Sequence, residues 1–323
     1  MVLKMSCAFA TSLDSHEHAR VAERLGYRHA WFYDSPALYP DVWTQLCRAG
    51  ERTERIGLGP GVLVPALRHP MVNAAGIATL VSLVGQERVA VGIGSGFTGR
   101  LALGERPSPW SRVAEYIRVL RALLRGERAR WDGAVIEMLH VPGFAPPRPI
   151  EVPFLVGAQG PKGTAVAREL ADGVFGTPVP VRGFDWSAVL TFGTVLADAE
   201  DPGSERVVAA AGHAAGVLLH FAAEFGRLEL VPGGRRWAEA YEQASPETRH
   251  LLMHKGHLCA VNEHDRPFIT AELLSGLGLA LTAKGWREKL AELEQAGATE
   301  VVYQPAGPDI PRELAAFAEA VHG

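Results

Sequence analysis

What most constrains this chain is a rhythm: apolar runs of strand length alternate with longer helix-like stretches, joined by short connections. The first run is residues 5–10. Asp14 and Ser15 then stand where a helix N-cap belongs, ahead of a helical stretch to Leu25 that Gly26 closes. A second run at 29–33 precedes a helix over 41–50. A third, 56–64 (IGLGPGVLV), precedes an apolar helix over 70–84, and a fourth lies at 89–93. Residues 111–124 place Val113, Ile117, Leu120 and Leu124 on one helical face. Strand and helix in this order predict parallel strands with crossover helices.

Residues 141–153 (VPGFAPPRPIEVP) hold five prolines, so they predict a surface excursion and neither a helix nor a central strand. The alternation then resumes with strands at 154–157, 173–176, 186–196 and 300–304, and helices at 164–171 and 286–295. Eight parallel strands with helices between them predict a (β/α)8 TIM barrel, one domain over 1–323. A doubly wound open sheet is the alternative. Residues from about 200 to 283 do not fit the alternation and predict an insertion before the last β/α unit, lying over the catalytic face.

Composition narrows the function classes. With 47% hydrophobic and 21% charged residues, 323 residues can bury a sizeable core. A net charge of −4 and a pI near 6.3 leave no strongly basic surface for nucleic acid. Charges interrupt the apolar stretches short of the roughly 18 positions a membrane span needs, and the N-terminus lacks a signal-peptide pattern. Cys7, Cys47 and Cys259 are too few and scattered for a disulfide framework. The expectation is a cytoplasmic protein with a small-molecule substrate and neither nucleic acid nor membrane as partner.

Two glycine-rich loops follow strands. Gly92 to Gly96 (GIGSG) lacks the helix that a dinucleotide fingerprint starts at once, because 97–110 reads as loop. Gly157-Ala158-Gln159-Gly160-Pro161-Lys162-Gly163 runs from a strand into a helix. Unpaired N–H groups at that helix start, with Lys162 beside them, suit a phosphate, and an ordinary strand-turn-helix corner is the alternative. In the third strand, Gly57, Gly59, Pro60 and Gly61 predict either a bulge or a ligand lying against the backbone.

The ordered set GLGPGVLVPALRHP (57–70), GIGSG (92–96), GAQGPKGTAVARELADG (157–173) and GATEVVYQP (297–305) resembles the luciferase-like flavin and deazaflavin oxidoreductase superfamily. Within it, the likeness is to the F420-dependent methylenetetrahydromethanopterin reductase-like branch, over roughly residues 1–177 and 285–323. The resemblance implies a deazaflavin, coenzyme F420, at the C-terminal end of the barrel, and a homodimer. It implies a ring against a bulge at Gly61–Val62, where the family often has a non-prolyl cis peptide, and a phosphate between Gly94-Ser95-Gly96 and Gly157 to Gly163. It also implies Asp34 beside the ring as the catalytic carboxylate, and Thr177 near the cofactor tail. Two positions depart from the family: Ser35 replaces a common histidine and Phe97 a common acidic residue. Both replacements point to an apolar acceptor site, with Tyr39, Phe97 and His257 as substrate contacts.

His250, His254, His257 and His264 cluster in the insertion. His250 and His254 have a spacing that can hold zinc, but no zinc-protease motif accompanies them, so no metal is assigned. The expected function is F420-dependent hydride transfer that reduces an activated C=C or C=N bond. The alternatives are an FMN-dependent monooxygenase using O2, and a barrel that binds a ligand or partner without catalysis.

Overall fold

The computed structural model describes residues 3–323. In its first half, strands β1 (Lys4–Phe9), β2 (His29–Phe32), β3 (Gly57–Pro60) and β4 (Val91–Gly94) alternate with helices. These helices are α1 (Ser15–Arg24), α2 (Val42–Gly50), α3 (Pro70–Val84), α4 (Phe97–Leu101) and α5 (Trp110–Arg125). A hairpin, β5 (Ala129–Trp131) and β6 (Ala134–Ile136), precedes β7 (Phe154–Gly157), α6 (Pro161–Leu170), β8 (Gly173–Gly176), β9 (Ser187–Phe192) and β10 (Thr194–Val195). The insertion carries α7 (Glu205–Glu224), α8 (Gly234–Glu242), α9 (Arg249–Met253) and α10 (Ala271–Gly276). The chain then closes with β11 (Ala280–Leu281), α11 (Ala283–Gln295), β12 (Glu300–Gln304) and α12 (Ile310–His322).

Eight strands pair in the order β3-β2-β1-β12-β9-β8-β7-β4, every pair parallel. The two ends of that order also meet, with Leu58 opposite Val89 and Leu63 opposite Ile93. Leu63 N–H donates to Gly92 O at 2.8 Å and Gly94 N–H to Leu63 O at 3.0 Å. The sheet is therefore a closed (β/α)8 barrel and not an open doubly wound sheet. Side chains follow the two-residue period of a strand. Along β2, Ala30 and Phe32 pack outward under the helices, while Trp31, followed by Tyr33, points into the barrel with Leu155, Phe175 and Val302. Strands apolar on both faces read as continuous runs, which is why they are legible in the sequence.

Several expectations need correction. Residues 97–101 are helical and not loop, a single turn too short to display an apolar period. The run 186–196 is two strands, broken at Gly193, whose φ of +128° lets the chain pass close to the Leu279 carbonyl. The β5–β6 hairpin was signalled by Asp132-Gly133, both at positive φ, a turn pair favoured in two-residue hairpins. Helix α7 is long and apolar enough to cross a membrane by length and composition, with a hydropathy of 1.4, yet 67% of that stretch is buried inside the protein. Its Val207, Ala211 and Ala215 pack with Leu273 and Leu274 of α10 into a separate core, so its apolar surface is used within the fold.

Candidate active site

The C-terminal ends of the barrel strands open into a cavity of about 500 Å³, the face on which barrel enzymes carry their chemistry. Trp31, Val62 and Phe175 line it, with the Trp31 and Phe175 rings edge to face at 4.7 Å. Helix α7 covers it with Val217 and Phe221, and the residue that caps the helix, Phe225, extends the cover. Phe97, the first residue of α4, stacks on Phe221 at 4.5 Å and on Phe225 at 5.9 Å. The insertion thus supplies an aromatic roof to a site whose walls come from strand ends.

Most of the residues singled out in the sequence face this cavity: Asp34, Gly61, Val62, Gly94, Ser95, Gly96, Gly157, Ala158, Gln159, Gly160 and Thr177, together with Tyr39 and Phe97. The Gly61–Val62 peptide is cis. Four others are placed elsewhere. Pro161 and Lys162 are exposed on α6. Gly163 is buried, where a Cβ would come within 2.5 Å of the Trp110 ring. His257 lies behind the wall, with its Nε2 3.1 Å from the Thr98 hydroxyl and its carbonyl accepting from the Tyr39 hydroxyl. Thr98, not His257, faces the cavity.

The glycines separate into two kinds. Gly94 and Gly96 are required by the protein itself: a Cβ would meet Val62 at 2.8 Å and Val64 at 2.3 Å, and Gly96 has φ +82°. Gly157 and Gly160 are not. Around Gly157 the nearest atom to a Cβ would be 3.5 Å away, and around Gly160 nothing lies within 4 Å, though both line the cavity. Gly160 is the N-cap of α6 and makes no side-chain cap. Bare backbone with room to spare, at a helix start facing a cavity, fits an anionic group approaching closely.

Asp34 is not a free carboxylate. Arg68 donates from Nη2 to Oδ1 at 2.9 Å and from Nε to Oδ2 at 3.2 Å, and also reaches Asp41 Oδ2 at 3.0 Å. Burial pushes the Asp34 carboxyl up while Arg68 opposes the rise. The sequence reading missed Arg68, which acts on the site through Asp34, and the lining residues Trp31, Thr98, Phe221 and Phe225. The only signal for Arg68 was membership of the RHP segment, because its partner is 34 residues away. The Arg68 carbonyl accepts from the Tyr116 hydroxyl at 3.2 Å, and that hydroxyl accepts from Asn73, whose Oδ1 in turn accepts from Trp43. The loop before α3 is thereby anchored to α5.

Comparison with known proteins agrees with this architecture. A 5,10-methylenetetrahydromethanopterin reductase from Archaeoglobus fulgidus is 26% identical over 95% of each chain. An F420-dependent glucose-6-phosphate dehydrogenase from Microbacterium testaceum is 33% identical over 46% of this chain and 45% of its own. Among solved structures, the F420-dependent tetrahydromethanopterin reductase of Methanopyrus kandleri superposes with a TM-score of 0.67 at 20% identity, covering 98% of both chains. An FMN complex of the oxygenating constituent of 3,6-diketocamphane monooxygenase from Pseudomonas putida does so at 0.64 and 14%, covering 99% of this chain and 98% of its own. These two structural likenesses show the shared barrel. Residues 13–189, more than half of the chain and most of the barrel that builds the cavity, match the luciferase-like monooxygenase family, and the chain belongs to that family.

Proposed function

We propose that the protein is an oxidoreductase that uses coenzyme F420 to reduce an activated C=C or C=N bond in a small apolar substrate. The observation that carries this reading is the cavity-facing pair Gly157 and Gly160, bare where the protein's own packing does not require it. The F420-dependent relatives support the same cofactor. Gly61–Val62, Gly94 to Gly96 and Gly157 to Gly160 would hold the cofactor, and Thr177 lies on the same cavity. When bound, F420 supplies a hydride.

The chain's own residues then have distinct tasks. Asp34, with both oxygens on Arg68, presents a fixed negative charge that orients what lies beside it. Phe97, Phe221 and Phe225 exclude water and favour an apolar acceptor. Ser35 and Phe97 stand where the family resemblance implies a histidine and an acidic residue, which favours an acceptor other than a sugar phosphate or pterin.

The test is titration of the purified protein with F420 and, separately, FMN, followed by fluorescence. The expected result is a micromolar Kd for F420, about 8 kcal/mol, with weak FMN binding, followed by turnover of reduced F420 with unsaturated acceptors. Tight binding of FMN alone would move the reading to a monooxygenase. If neither saturates by about 1 mM, roughly 4 kcal/mol, the proposal fails.

A further inference from the structure

Behind the cavity wall the fold brings buried His220 against two buried histidines more than 30 positions further along, His254 and His257. His220 comes from the last turn and a half of α7, and His254 and His257 from the turn that follows α9. One ring nitrogen of each lies within 4.8 Å of the others. His257 Nδ1 is 3.4 Å from His220 Nδ1 and 3.3 Å from His254 Nδ1. The i, i+4 partner suggested by the sequence, His250, is not in the group, and His264 stacks instead on Tyr241 at 5.2 Å.

The surrounding bonds fix how these nitrogens are used. Asp265 accepts from Trp237 Nε1 at 2.7 Å, the Tyr241 hydroxyl at 2.9 Å and Asn262 Nδ2 at 2.9 Å. Its Oδ2 lies 3.2 Å from His220 Nε2. With Asp265 accepting from Trp237, Tyr241 and Asn262, its contact with His220 Nε2 is best made by an Nε2–H donor, which leaves Nδ1 as a bare lone pair. Gly216, one turn earlier on α7, makes this approach possible, since a Cβ there would lie 2.8 Å from Asp265 Oδ2.

A proton on His257 Nδ1 can point at only one of its two neighbours, so protons alone leave one of the two nitrogen contacts unbridged. A metal ion at the common point serves all three. Zinc–nitrogen bonds of about 2.0–2.1 Å at the tetrahedral angle separate ligand nitrogens by about 3.3–3.4 Å, the spacing of both contacts here. The carboxylate on the far nitrogen of His220 is the usual outer partner of a metal-bound histidine.

We propose that His220, His254 and His257 bind one zinc-class divalent ion through their Nδ1 atoms, with Asp265 as the positioning carboxylate. Its role is structural. The turn at 257–258 is already seated on the barrel rim, where Tyr39 donates to the His257 carbonyl and Gln304 to the Leu258 carbonyl. The ion ties α7 to that seat, and with it Phe221 and Phe225, so that the roof is fixed over the cavity. All-nitrogen ligation suits zinc, cobalt or nickel and excludes magnesium and calcium, which take oxygen ligands.

The test uses the full-length chain, stripped with a chelator and titrated with Co²⁺ as a spectroscopic substitute for zinc. One equivalent is expected, with the intense visible bands of a four-coordinate site made by the three histidines and one water, displaced by one equivalent of Zn²⁺. His254→Gln and His257→Gln should lose the bands, His250→Gln should keep them, and Asp265→Asn should weaken binding about 10- to 100-fold. Wild-type protein that gives no bands, gives only the weak spectrum of six-coordinate cobalt, or shows bands that survive His257→Gln overturns the proposal. The wild-type titration decides the matter even if a variant fails to fold.

Discussion

Asp34 shows how much a single partner decides. Its side chain is 1% exposed, and a carboxylate taken that far from water stays charged only while something pays its desolvation. Arg68 does so with two hydrogen bonds. Arg68→Met should therefore destabilise the protein by about 3–5 kcal/mol, the cost of leaving a buried charge unpaired, and should push the Asp34 carboxyl further up. Urea unfolding near neutral pH measures the first effect. A loss below about 1 kcal/mol, typical of a surface ion pair, would show that the pair is solvated in solution. Asp34 was legible because it follows an apolar run and matches a family pattern. Arg68 was not, because nothing local to RHP says which carboxylate it meets.

At the scale of elements, the two glycine loops that look alike in sequence behave differently. Gly96 caps the start of α4 in a left-handed conformation under Val64, so Gly96→Ala should cost about 1–3 kcal/mol through strain and overpacking. Gly160 begins α6 with open space around it. Gly160→Ser supplies a better N-cap, so the melting temperature should hold or rise while F420 affinity drops at least tenfold, about 1.4 kcal/mol. Calorimetry and the fluorescence titration read the two quantities separately. Unchanged affinity in Gly160→Ser would remove the anion-binding reading of α6. Spacing alone marks both loops as glycine-rich; only the neighbours brought by folding distinguish a packing glycine from one that serves a ligand.

At the scale of the whole molecule, global stability carries a pH dependence to which one histidine inside α7 contributes. His213 is buried, its Nε2 lies 3.2 Å from the Ala210 carbonyl, and its Nδ1 has no partner among the described residues. Burial pulls its pKa down from 6.5 to about 4, with the Ala210 bond opposing. Between those values the unfolded chain binds more protons than the folded one. The His213 contribution is thus intact above pH 6.5 and lost progressively as pH falls toward 4. His213→Leu should flatten this part of the curve, so urea midpoints at pH 7.5 and pH 5 should converge relative to wild type. Parallel behaviour of the two proteins would show that His213 is solvated or titrates normally.

By itself the sequence determined the order of strands and helices, because continuous apolar runs and helical periodicity are local properties that no distant residue needs to complete. It also placed Gly94 and Gly157 at strand ends and Gly160 at a helix start. The tertiary structure alone decided what those elements enclose. Barrel closure through Leu58 and Leu63, the pairing of Asp34 with Arg68, and the meeting of His220 with His254 and His257 join residues about 30 or more positions apart. Such contacts depend on where closed elements bring their side chains. No spacing encodes them: the i, i+4 rule selected His250, while the fold selected His220.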